Sequence, residues 1–323
     1  MRFFTFIFFA LVQTNLVLAN TNINSQSPEF AAKTEVTEKQ LQEDATLLNE
    51  FAKKEMLIDA KTKAQGEFFY VVLKGFKEEP KLWFNQESYP VFKIPNKQHW
   101  NSIIGNHDHV YYRALIPVEN LTKPGTYSIL VKDDSYEEKQ IVTVTDNKRP
   151  ISRITLSGEK SSINASDKEL REVARGLKEK NDKKIWQGKF MYPCVAPKSS
   201  PFGVKRSYNG GPVVSYHKGL DFAARLGDAV MAPADGKVVL IGKEKDGYNV
   251  HGNTVILDHG HGVTSIYMHL SKINVRKAQD VYIGEKIGEV GHTGISTGPH
   301  LHWGIYLSGT SINPELFVEN AIE

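Results

Sequence analysis

HLHWGIYL, residues 300–307, follows the turn-rich run Gly294-Ile295-Ser296-Thr297-Gly298-Pro299 and decides how the second half of the chain is read. Successive side chains of a strand point to opposite faces. As a strand, this stretch puts His300 and His302 on one face and Leu301 and Trp303 on the other. Two imidazoles backed by two large apolar groups describe a polar site mounted on a buried sheet.

The residues around it have the same character. GKVVLIG, NTVILDHG, VTSIYMHL and KIGEVG are short β-rich runs separated by Gly-bearing turns, and this C-terminal region holds eight of the eleven histidines. Upstream, FFYVVL, YPVFKI, VYYRALIPV, GTYSILV and EKQIVTVT alternate with Pro, Gly and Asn turns, a spacing that predicts a small antiparallel sandwich. Between the two, Ser166-x-x-Glu169 is a capping box opening a helix with Leu170, Val173, Ala174 and Leu177 on one face. A Lys-rich connector ending near Lys184 follows. From Thr37 to Ala64 the recurrence of Leu41, Ala45, Leu48, Ala52 and Met56 predicts a further helix, ended by Gly66. The expected fold class is mainly β, with an N-terminal antiparallel β-sandwich, a C-terminal antiparallel β-sheet domain, and short helices N-terminal and between them. The expected divisions are 1–19, 20–65 (polar segment and helix), 66–147 (sandwich), 148–189 (helical linker) and 190–323.

Residues 1–19, MRFFTFIFFALVQTNLVLA, combine one Arg with an apolar run and small residues at the end, the pattern of a secretory signal peptide. A retained anchor is the competing reading. Gln13, Thr14 and Asn15 break the run, which is short for a bilayer span, so no membrane span is expected in the mature form. The single cysteine, Cys194, has no internal partner, and an exported chain without disulfides relies on its cores. A net charge of +3 over 323 residues gives no case for nucleic acid as a partner.

Three pieces carry the chemistry: His217-Lys218-Gly219-Leu220-Asp221, Tyr267-Met268-His269-Leu270 and His300-Leu301-His302. If extended, the first aligns His217, Gly219 and Asp221 on one face. Neutral imidazoles and a carboxylate are good zinc ligands, and a catalytic zinc takes three protein ligands and leaves a place for water. Four imidazoles and one Asp exceed that number, so some of them are expected to act on water or substrate instead.

Over residues 200 to 317 the chain resembles the lysostaphin-type, LytM-like zinc peptidases that cut peptidoglycan cross-links. The resemblance rests on SPFGVKR, YHKGLDFAA, APADGKVV, GNTVILDHG, YMHLS and STGPHLHW in that order. It implies that His217, Asp221 and His302 bind Zn2+, and it assigns His269 and His300 to catalytic, non-ligand roles. It leaves open which of the two is the base. It further implies peptidoglycan as substrate, with the D-alanyl–diaminopimelate cross-link and possible D,D-carboxypeptidase trimming. A Gram-negative periplasm is the expected location, secretion or a cell-surface site the alternative. The sandwich resembles one found ahead of such peptidases; the roles expected for it are gating the cleft, positioning the substrate strand or binding a regulatory protein partner, with a stabilising spacer as the alternative. The rival readings are a non-catalytic activator of a murein amidase, or a zinc peptidase acting on proteins or glycine bridges.

Two departures from the family pattern stand out. His292 replaces a small polar residue, and Trp303-Gly304 replace Phe-Glu, with Gly304 expected to widen the groove. Of the remaining histidines, His259 is the candidate for supporting a ligand from behind. His107 and His109 form an H-x-H in a turn with no third ligand piece nearby. Asn209-Gly210 is a hairpin-turn signal first. By the resemblance, Asn209 is also a candidate to block the open zinc position.

Overall fold

The computed structural model describes residues 53–94, 111–155 and 164–322. The signal-like segment, the first part of the predicted 37–64 helix and the His107/His109 pair lie outside them.

FFYVVLK, residues 68–74, is apolar on both faces because both faces are covered. Phe69, Val71 and Leu73 point into the sandwich and meet Leu82, Ile129, Val131, Val142 and Val144 from the opposing sheet. Phe68 points the other way and joins the core of the C-terminal domain together with Leu115. One sheet of the sandwich runs Glu55–Ile58, Phe68–Lys74, Tyr111–Pro117, Phe92–Ile94; the other runs Thr62–Ala64, Glu137–Thr145, Gly125–Lys132, Lys81–Phe84, Glu87–Tyr89. Pairing is antiparallel except for Thr62–Ala64, which lies parallel to Glu137–Thr145.

Those edge strands correct the predicted helix over its C-terminal part. Residues 55–58 and 62–64 are extended and belong to different sheets. Met56 is buried and Leu57 exposed, a period of two, and the Met56 N–H donates to Glu138. Sheet pairing outcompetes the helical spacing that Met56 shares with Ala52.

The C-terminal domain is built on an eight-stranded antiparallel sheet. In order across it lie Lys198–Ser200, Leu220–Phe222, Leu301–Leu307, Val263–Leu270, Asn253–Gly260, Gly236–Gly242 and Asp280–Val281, with Thr310–Ile312 also pairing on Leu301–Leu307. Trp303, Tyr267, Phe222, Leu257 and Ile305 fill one side. Trp303 is core, as its alternation with His302 predicts.

The segment between the domains is not a free linker. Ile151–Ile154 pairs in parallel with Lys205–Tyr208, and helix Asp167–Leu177 packs Val173 and Leu177 against Leu240, Ile256, Ile266 and Tyr306 on the sheet's other side. The helix opens on the predicted capping box. The face differs: Glu169, Val173, Gly176 and Leu177 are buried, while Leu170 and Ala174 are exposed. The Lys-rich connector is pinned as well, since the Asn181 carbonyl accepts from the His261 N–H and the Asp182 carbonyl accepts from His261 Nε2.

Candidate metal centre

Asp221 and His302 lie directly opposite each other on adjacent antiparallel strands. His217 reaches them from the end of strand Val213–Tyr216, where its N–H donates to the Val204 carbonyl. The three donor atoms form a near-equilateral triangle. His217 Nε2 is 3.0 Å from Asp221 Oδ1 and 3.1 Å from His302 Nδ1, and His302 Nδ1 is 2.8 Å from Asp221 Oδ1. Zinc bonded at ~2.0–2.1 Å in a tetrahedron needs donors roughly 3.3–3.4 Å apart, so each edge must open by only a few tenths of an ångström. Two imidazole nitrogens and a carboxylate oxygen at this spacing fit the ion. Among the described residues these are the only three His, Cys, Asp or Glu groups gathered closely enough to hold a metal.

Backbone carbonyls assign the ring tautomers. His217 Nδ1 donates to the Pro201 carbonyl at 2.8 Å, with Ser200 Oγ at 3.3 Å, which turns the Nε2 lone pair toward the triangle. His269 Nδ1 donates to the Thr293 carbonyl at 2.8 Å, and His300 Nδ1 to the Gly298 carbonyl at 2.9 Å, with Ser296 Oγ at 3.1 Å. In the tautomer these bonds select, each ring carries its proton on Nδ1 and its lone pair on Nε2. The His269 and His300 rings lie 4.7 Å apart, and His269 is 6.4 Å from His302. All five residues singled out in the sequence are thus gathered into one site.

Burial dominates the electrostatics. It pushes His302 down to about 4, against the pull of Asp221, and pushes His269 down to about 3, helped by neighbouring His302. Burial opposes the charge of Asp221, but the His217 and His302 rings set against its Oδ1 outweigh it and hold its carboxyl well below the usual range. Asp221 is therefore held ionised and His302 neutral, the protonation state that metal binding requires of them.

Sequence reasoning missed the supports. The carbonyls of Pro201, Thr293 and Gly298 are backbone groups, which no residue type announces; SPFG and STGPHLHW contain the first and the third, and Thr293 lies outside both. His259 is not behind a ligand. It bonds the Asp235 carbonyl and Ser265 Oγ in the core. Gly304 does not widen a groove, because a Cβ there would lie 2.9 Å from the Lys218 carbonyl. Asn209 and Gly210 both have positive φ, as a two-residue hairpin turn demands. That turn stands at the far end of the hairpin from His217, about five strand residues or ~16 Å away. Cys194 is buried, and burial raises its thiol pKa, as for a packed and unreactive residue.

Residues 215–314 match the model of peptidase family M23. Among curated relatives, the DD-carboxypeptidase/endopeptidase Mpg of Neisseria meningitidis is 43% identical over 119 residues, 36% of this chain and 26% of its own. The murein hydrolase activator NlpD of Salmonella typhimurium is 40% identical over 106 residues, 33% of this chain and 27% of its own. The chain thus spans about a quarter of the length of these relatives. A crystal structure of a candidate M23 peptidase from Pseudomonas aeruginosa aligns over 86% of this chain and 98% of that one, with a TM-score of 0.55 and 26% identity.

Proposed function

Given that residues 215–314 match the model of peptidase family M23, we propose that the chain is a zinc-dependent peptidoglycan endopeptidase. Its substrate is the peptide cross-link of murein, with the D-alanyl–diaminopimelate bond first in line and D,D-carboxypeptidase trimming of stems a second activity of the same site. The observation that carries this reading is the complete His217–Asp221–His302 triangle with two further imidazoles beside it. Relatives named as carboxypeptidase and endopeptidase support the reaction class.

In this reading His217 Nε2, Asp221 Oδ1 and His302 Nδ1 hold the ion. Bound zinc supplies a water acidified to about pKa 7 and polarises the scissile carbonyl. The protein supplies the proton traffic. His269 and His300, each with Nδ1–H tied to a carbonyl, offer two Nε2 atoms on one side of the bond. One accepts the proton of the attacking water and passes it to the leaving amine; the other, protonated from solvent, donates a hydrogen bond to the carbonyl oxygen. Because burial keeps His269 unprotonated at neutral pH, it starts the cycle as an acceptor.

The rival is a non-catalytic activator of an amidase, the role in the name of the NlpD relative. An intact ligand set favours hydrolysis. We place the mature protein in a Gram-negative periplasm, where this substrate lies. Among the described residues no helix is long and apolar enough to cross a membrane. The sandwich is the proposed surface for a regulatory partner.

Digestion of purified muropeptides, with products resolved by mass, tests the reading. Zinc-loaded protein is expected to convert cross-linked dimers to monomers, and chelator to stop it. Intact dimers with restored zinc would sink the endopeptidase, and cleavage only of glycine bridges or proteins would redirect it.

A further inference from the structure

Glu169 has no part in the chemistry above, yet its side chain is wholly buried. In the first turn of helix Asp167–Leu177 it closes the capping box, which calls for one hydrogen bond, from the Ser166 N–H. Its carboxylate takes four more from outside the helix. The backbone N–H groups of Asn249, Val250 and His251 donate to it at 3.0, 3.1 and 2.7 Å, and His251 Nδ1 lies 2.6 Å away. Three successive N–H groups converging on one carboxylate form an anion-binding nest. Burial opposes the charge of Glu169, but the hydrogen bonds from His251 outweigh it and keep the carboxyl below its ordinary range.

The loop held this way is the wall behind His269. The His251 carbonyl accepts the His269 N–H at 3.0 Å. The Val250 carbonyl accepts the Ile295 N–H at 3.0 Å, which ties down the loop that presents the Thr293 carbonyl to His269 Nδ1. The two loops touch backbone to backbone: a Cβ on Gly252 would lie 2.5 Å from the Thr293 carbonyl, and one on Gly294 2.6 Å from the Val250 carbonyl. His269 itself has φ +64°, a left-handed position that a non-glycine residue holds only where its surroundings impose it. Its surroundings here are these two loops.

We infer that Glu169 is a positioning residue for His269: by fixing the Asn249–His251 loop, it fixes the backbone and ring orientation of the imidazole beside the metal triangle. The helix between the domains is then part of the construction of the active site. The inference rests on the role given to His269 above, and its test separates the two.

Amide hydrogen exchange by NMR on the full chain reads the positioning without any need for activity. In Glu169→Gln, exchange at the His269 amide is expected to accelerate at least tenfold, while the Ile266 amide at mid-strand keeps wild-type protection. With zinc content unchanged, kcat on muropeptide dimers is expected to fall by roughly tenfold to a hundredfold and KM to stay within about threefold. Glu172→Gln, which removes the charge from the carboxylate on the same helix that accepts from Tyr248 Oη, is the control and should leave both readouts unchanged. Should Glu169→Gln not fold, Glu169→Asp, which withdraws the carboxylate by one methylene, carries the same test. Wild-type exchange at His269 in a folded Glu169 variant would overturn the inference. So would faster exchange spread evenly over the sheet, or equal losses in Glu172→Gln. An inert wild type would remove the proposed function, and the exchange result would still judge the positioning.

Discussion

Gly219 stands between two of the proposed ligands, and a methyl group on it would press into the Trp303 carbonyl and lie 2.8 Å from His302 Nε2. Gly219→Ala is therefore expected to swing His302 and weaken zinc at least tenfold, measured by competition with a chromophoric chelator. His217→Ala and Asp221→Ala are expected to lose the metal and hydrolysis together. His269→Ala and His300→Ala should keep zinc and lose about 10²–10⁴ in kcat. Metal retained in the first pair, or lost in the second, would reverse the roles. At this scale the sequence was informative wherever chemistry follows residue type. His217, Asp221, His269, His300 and His302 could be picked out because imidazoles and a carboxylate recurred opposite apolar residues. The carbonyls of Pro201, Thr293 and Gly298 could not, since every residue type carries one.

Helix Asp167–Leu177 shows how an element can be legible and still misjudged. Ser166-x-x-Glu169 announced its start, and the structure has both reciprocal hydrogen bonds of the capping box. Its buried stripe was misplaced because Glu169 lies in it: an acid reads as solvent-facing until its partners, here about 80 residues away in sequence, are known. Ser166 also donates to the Gly247 carbonyl at 2.8 Å. Ser166→Ala should cost about 1–2 kcal/mol, seen as a lower melting temperature. The strands at 55–58 and 62–64 were illegible for a related reason, since short edge strands take their conformation from distant partners such as Lys74 and Thr143. A truncation aimed at the region ahead of the sandwich should therefore end before Glu55, or it removes sandwich strands.

Across the whole molecule, sandwich and C-terminal domain meet in a shared core. Phe68 and Leu115 pack with Phe317 and Trp186, Phe92 stacks on His261 at 4.7 Å, and Arg113 Nε donates to His261 Nδ1 at 2.9 Å. Two β units were evident from turn spacing, but their fusion was not, because the apolar outer face of FFYVVL resembles any buried strand. Calorimetry of the described fold should show one unfolding transition. Burial pushes both His259 and His261 down to about 4 from 6.5, with the Arg113 charge adding to the effect on His261. A depressed histidine pKa favours the folded state fully above 6.5. That stability is lost as pH falls toward 4, because the unfolded chain takes up the protons first. The loss is on the order of 3 kcal/mol for each residue. Melting temperature should fall between pH 7 and pH 4.5, and less steeply in His261→Gln; a flat profile would contradict the buried neutral rings.

The central claim is that one zinc ion sits on the His217–Asp221–His302 triangle. A crystal of the zinc-loaded full chain, with diffraction collected on both sides of the zinc absorption edge, addresses it directly. The account predicts one anomalous peak at ~2.0–2.2 Å from His217 Nε2, Asp221 Oδ1 and His302 Nδ1, with His269 and His300 facing it and not bonded to it. A peak elsewhere, or side chains of the three residues turned apart around no peak, would contradict it.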